Sequence, residues 1–151
     1  MLRVSKLTDY ATVVMVAMAE SPTELHAASQ LAERTRLELP TVSKLLKQLA
    51  AAGLIESRRG VNGGYRLLRN ATEISVLEIF EAMEGKLAMT DCVEHHGACN
   101  RETHCQVQSH WRRISAVIAR AMADMSLADL KQTPPPPPPR GKPVPIKIAL
   151  A

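Results

Sequence analysis

Three local signals between His26 and Leu68 restrict this chain more than anything else in it. His26 to about Thr35 is a short amphipathic segment with Ala28, Leu31 and Ala32 on one side. After a break at Arg36–Leu39, Pro40 opens a second segment, where a missing N–H costs nothing. Val42, Leu45, Leu46 and Leu49 form its apolar stripe, and Gly53 ends it as a residue that tolerates a left-handed backbone. Two extended runs follow, Leu54–Arg59 and Tyr65–Leu68, around Gly60-Val61-Asn62-Gly63-Gly64. Asn-Gly between two such runs is a strong hairpin signal. Two helices, a tight turn and a glycine-rich hairpin predict a winged helix-turn-helix: mainly α, with a small β-hairpin wing.

The flanks read as helices too. Ser5 to Ala19 has a capping serine, Asp9 in its first turns, and Tyr10, Val13, Val14 and Ala17 at helical spacing. Ser75 to Met83 places Val76, Ile79, Phe80 and Met83 on one face. Aromatic residues are only 3% of the chain, so aliphatic side chains must fill the core, which favours helices. Residues 85–105 read as a polar loop. A long helix is expected from Gln106 to about Leu130, with Val107, Trp111, Ile114, Ile118, Ala121 and Met125 as a heptad seam suited to a second copy of the chain. The expected organisation is a DNA-binding domain over 1–84, a Cys-rich loop over 85–105, a dimerisation helix over 106–131 and a Pro-rich tail over 132–151. Pro134–Pro139 open that tail, which is expected to form a flexible polyproline arm.

Charge is distributed unevenly. The first 70 residues hold ten Lys and Arg against six Asp and Glu, whereas residues 71–105 hold two against seven. A basic first half suits a polyanion, and a helix of this kind fits the major groove of duplex DNA. Thr41, Ser43, Lys44 and Lys47 lie on the early turns of the second helix, and Arg58, Arg59 and Arg66 surround the hairpin tip. Hydroxyls and ammonium groups suit base edges and phosphates; Arg suits phosphate forks or a narrow minor groove. The expected partner is an operator in double-stranded DNA. No apolar stretch is long enough for a membrane span, and none reads as a signal peptide, so a cytoplasmic protein with no membrane partner is expected. No motif for a small-molecule substrate or an oxyanion hole is recognisable, and an enzyme is not expected.

All three cysteines fall within 14 residues, Cys92-x6-Cys99-x5-Cys105, and His95, His96, His104 and His110 lie in or just after that window. Thiolates beside imidazoles are soft metal ligands. The short C-x2–4-C knuckle of structural zinc sites is missing, and the wider spacings let a loop wrap a larger group such as an iron–sulfur cluster. Zinc, bare redox thiols and plain structural cysteines remain as alternatives on spacing alone.

With these residues in view, the sequence resembles the IscR/NsrR family of bacterial winged-helix regulators that sense iron–sulfur clusters. The resemblance covers residues 1 to about 130. It is carried by Leu7-Thr8-Asp9-Tyr10-Ala11, Gly53-Leu54-Ile55, the wing Arg59-Gly60-Val61-Asn62-Gly63-Gly64-Tyr65-Arg66-Leu67, and three cysteines before a helix containing Trp111. The opening from Met1 to Met15 is most similar to regulators of the SUF cluster-assembly operon. The resemblance implies a cytoplasmic, homodimeric repressor with a 2Fe–2S or 4Fe–4S cluster ligated by Cys92, Cys99 and Cys105. IscR-type sites add a His three residues after the last Cys, where this chain has Gln108. NsrR-type sites take an Asp from the partner's first helix, and Asp9 matches that position; His104 and His110 are further candidates. A nitric-oxide or redox sensor of the same fold and a zinc-stabilised DNA-binding protein are the alternatives.

Overall fold

Ser5 starts the fold by accepting a hydrogen bond from the Thr8 N–H at 3.2 Å, which satisfies one of the unpaired donors at a helix start. In the computed structural model, which describes residues 3–60, 62–94, 97, 99–101 and 104–132, helix α1 runs Lys6–Ala19. Val61, His95, His96 and the Pro134–Pro139 arm lie outside the described residues. Helices α2, α3 and α4 all contact α1, so its buried face is wider than one stripe. Ala11, Val14, Met15 and Met18 are fully buried, and Val13, expected inside, is 42% exposed. At the far end Lys131 donates to the Ala19 carbonyl at 2.9 Å, a cation where the helix dipole is negative.

Helix α2 spans Ala28–Thr35 and α3 spans Leu39–Ala51 with Pro40 in its first turn. The segment from His26 starts its helix two residues later than expected because His26 pairs with Tyr65. His26 N–H donates to the Tyr65 carbonyl at 2.8 Å and Tyr65 N–H to the His26 carbonyl at 2.9 Å. Gln30 Oε1 instead accepts from the Ala27 N–H, and α2 ends at Arg36, a non-glycine residue in the left-handed region at φ 56°. In α3 all four residues of the expected stripe are fully buried. A buried Leu of this kind contributes roughly 1.5–3 kcal/mol.

Strands β1, Ile55–Arg58, and β2, Gly64–Leu67, pair antiparallel in the register Ile55–Leu67, Glu56–Arg66, Ser57–Tyr65 and Arg58–Gly64. Ile55 and Leu67 are buried, so the alternate face, with Glu56, Arg58 and Arg66, turns outward. Helix α4, Val76–Glu84, has a capping box: Ser75 Oγ accepts from the Glu78 N–H, and Glu78 Oε2 from the Ser75 N–H. Burial works against the Glu78 carboxylate, but hydrogen bonds from Ser75 and Arg69 outweigh it and hold the group below its ordinary value. Glu84 is also held low, by hydrogen bonds from Ser5 and Thr8 that tie the end of α4 to the start of α1.

A short helix, α5, spans Asp91–Glu94 inside the segment expected as a loop, and α6 spans Gln108–Ala123. The helix is therefore shorter than the expected 106–130. It stops because Leu127 turns back into the core, where it is fully buried, and its N–H donates to the Ile74 carbonyl at 2.8 Å. Val76 N–H to the Met125 carbonyl and Ala128 N–H to the Ala71 carbonyl complete this return. A final 3-10 turn spans Asp129–Lys131, and Ser126 Oγ accepts from the Asp129 N–H at 3.2 Å. Among the described residues no helix is long and apolar enough to cross a membrane.

Candidate DNA interface and cysteine loop

The α3 stripe faces inward, so the residues between its members face out. Lys44 and Lys47 are exposed, and Thr41 and Ser43 are half-buried. All four sit in the first three turns, where a recognition helix meets base edges. Arg36 is exposed in the turn ahead of α3. A lone Arg in a turn carries no pattern to find it by; only its left-handed backbone marks it.

The wing holds the three expected arginines differently. Arg59 is exposed just past the end of β1. Arg66 stands opposite Glu56 and its Nε donates to Glu56 Oε1, while Arg58 Nε lies 3.5 Å from the same oxygen. The turn itself depends on close backbone approach. Gly63 N–H donates to the Gly60 carbonyl at 2.9 Å, and a Cβ on Gly64 would stand 2.8 Å from the His26 carbonyl oxygen. The wing is thereby fastened to the entry of α2. The His26 ring, 4% exposed, adds to this: Nε2 donates to the Ser21 carbonyl at 3.0 Å, and Nδ1 faces Arg34 Nη1 at 3.4 Å.

The three cysteines are free thiols; Cys92 is buried and Cys99 and Cys105 are half-buried. Thr90 Oγ1 lies 3.3 Å from Cys92 Sγ. Two residues before the start of α5, Met89 N–H donates to Ser115 Oγ at 3.1 Å, and Ser115 is the one buried residue of α6. Among the described residues, no group of three His, Cys, Asp or Glu side chains stands close enough together to hold a metal ion. His104 and His110 are exposed. Asp9 is exposed on the first turns of α1, beside an open cleft of about 360 Å³ that also touches Thr12, Val76, Phe80 and Met122. Along α6 the apolar side chains Trp111, Ile114 and Val117 are 38%, 42% and 56% exposed, and Val107 and Met125 flank them, also exposed.

Comparison with known proteins agrees with this architecture. The model of the Rrf2 family, described as an iron-dependent transcriptional regulator, matches residues 4–133. The chain belongs to the Rrf2 family. The regulator IscR of Vibrio atlanticus is 33% identical over 134 residues, covering 83% of this chain and 74% of the relative. The regulator NsrR of Shouchella clausii is 28% identical, covering 81% and 78%. Among solved structures, T. potens IscR superposes with a TM-score of 0.65 at 28% identity over 85% of each chain. CymR, the global cysteine regulator of B. subtilis, has a TM-score of 0.68 at 23% identity over 87% and 97%, a likeness of fold. This Rrf2 protein is thus a winged-helix, DNA-binding transcriptional regulator.

Proposed function

We propose that this Rrf2 regulator binds an operator as a homodimer, and that an iron–sulfur cluster held by Cys92, Cys99 and Cys105 controls that binding. The target genes are those of SUF-type cluster assembly, and the regulator acts as a repressor. The observation that carries the reading is the continuous tie from the cysteine loop to the DNA module. Met89 is bonded to Ser115 in α6, and the chain beyond α6 is locked by Leu127 between Ile74 and the core beneath α3 and the wing. The donor set fits the group: three free thiols on one loop are the ligands iron–sulfur clusters use. A cluster bound there, as 2Fe–2S or 4Fe–4S, would supply a redox-active and losable cross-link.

The remaining steps belong to the protein. Closing the loop draws Cys99 and Cys105 toward Cys92, which the Thr90 contact and burial already hold. Ser115 transmits that closure to α6. The exposed seam on α6 pairs with its copy, so a shift in α6 alters the spacing of the two α3 helices against two half-sites. A tenfold change in operator occupancy needs only about 1.4 kcal/mol of differential affinity. Asp9 of the partner subunit is one candidate fourth ligand, its side chain exposed on the first turns of α1. His104 is the other candidate.

Replacing Cys92, Cys99 and Cys105 together by alanine tests the coupling. The account predicts altered operator affinity or sequence preference with the fold intact; an unchanged operator constant contradicts it. On the DNA side, Lys47→Ala removes a phosphate contact. It is expected to weaken binding to all sequences and to reduce the salt slope by about one. Ser43→Ala is expected to relax sequence preference instead, by about 1 kcal/mol at one base pair, the net value of one neutral hydrogen bond. Binding isotherms on operator and unrelated duplexes at several salt concentrations separate the two.

A further inference from the structure

A surface meant only to clamp phosphates has no use for a carboxylate, yet Glu56 stands on the wing's outer face beside Arg58 and Arg66. It lies directly across the ladder from Arg66, accepts from Arg66 Nε, and is 3.5 Å from Arg58 Nε. The side chains are part-exposed, 30% for Glu56, 35% for Arg66 and 55% for Arg58. Ion pairs as open as these contribute little to stability. Their effect on an approaching polyanion is larger, because one carboxylate repels every phosphate regardless of sequence.

We propose that Glu56 is a specificity-determining residue of the DNA interface. It fixes the direction of Arg66 and Arg58 and cancels part of their attraction for arbitrary phosphates. The inference rests on the reading of the wing as a DNA contact. An Arg guanidinium offers five N–H donors in a rigid fork. With Nε engaged by Glu56, Arg66 keeps its terminal Nη groups in one orientation. That orientation suits the groove shape or phosphate position of the right site and is poorly used on the wrong one. Discrimination gained by weakening the competitor is as effective as discrimination gained by strengthening the correct contact.

The experiment uses the full chain and two DNA probes. One is a duplex of about 30 base pairs enriched by the wild-type protein from a random pool, long enough for two half-sites a helical turn apart. The other is the unselected pool. Glu56→Gln keeps an amide oxygen for Arg66 Nε and removes only the charge, so the hairpin keeps its register. The expected result is tighter binding to the pool, with a salt slope steeper by about one counterion. Binding to the enriched duplex gains less, so the affinity ratio between the probes falls. Glu56→Ala also releases Arg66 and is expected to lower the ratio further. Equal gains on both probes, or no change on either, overturn the inference. Arg58→Gln and Arg66→Gln, made beside it, separate the two levels. If they weaken binding while Glu56→Gln leaves the ratio unchanged, the inference alone falls. If they too leave both affinities unchanged, the wing reading falls and takes the inference with it.

Discussion

Leu127→Ala is expected to destabilise the protein by about 2–5 kcal/mol, the range for truncating a fully buried Leu without collapse of the cavity. Leu127 is 0% exposed and belongs to the same core cluster as Leu46, Leu49 and Ile79. Its backbone is bonded to Ile74, which leaves the surrounding side chains little freedom to close the void. Thermal melting reads the effect as a fall of roughly 2–4 °C per kcal/mol at this size. The variant also carries a functional consequence. Leu127 anchors the end of α6 to the DNA module, so a Leu127→Ala protein kept below its melting temperature is expected to respond less to changes in the cysteine loop. A melting temperature within 2 °C of wild type would show that the return after α6 is not part of the cooperative core.

Gly63→Ala is expected to weaken DNA binding strongly. A Cβ there would overlap the Arg58 carbonyl oxygen and come within 2.8 Å of the Gly60 carbonyl oxygen. Both obstacles are backbone, so the turn must open rather than a side chain swing aside. The Gly63 N–H to Gly60 bond is lost, and the end of β1 with Arg58, and Arg59 after it, is displaced. A loss of about tenfold or more in operator affinity follows from removing one good contact, on the order of 1.4 kcal/mol. The helices are untouched, so far-UV circular dichroism is expected to match wild type. Gly64→Ala serves as the companion, because its clash is with His26 and it separates the wing from α2 rather than distorting the tip. Wild-type affinity in both variants would mean that the wing does not touch DNA.

The parts of this molecule that were legible in its sequence are those specified locally. The α3 stripe needs only helical periodicity, and Val42, Leu45, Leu46 and Leu49 are all fully buried. The wing needs only Asn62-Gly63 between two extended runs, and its strands match to within a residue. Local signals misplace elements where a distant partner intervenes. The helix expected from His26 begins at Ala28 because Tyr65, far along the chain, pairs with His26. The helix expected to reach Leu130 stops at Ala123 because Ile74 and Ala71 draw the following segment back. On α1 a single stripe is too narrow a description for a helix with neighbours on three sides, and Val13 shows the error. The site follows the same rule. Lys44, Lys47 and Arg59 are exposed as their positions suggest, but the cross-strand partnership of Arg66 with Glu56 depends on register, which spacing alone does not give. The cysteines can be located by spacing, whereas their closure depends on what they bind.

The cysteine loop of this Rrf2 regulator is proposed to hold an iron–sulfur cluster that governs DNA binding. The most direct measurement is the visible spectrum of protein purified without oxygen, with iron, sulfide and zinc assayed in the same sample. The account predicts a brown protein with matched iron and sulfide, and loss of the colour in Cys92→Ala. A colourless protein containing one zinc per chain, or one that takes up neither iron nor sulfide on reconstitution, would contradict it.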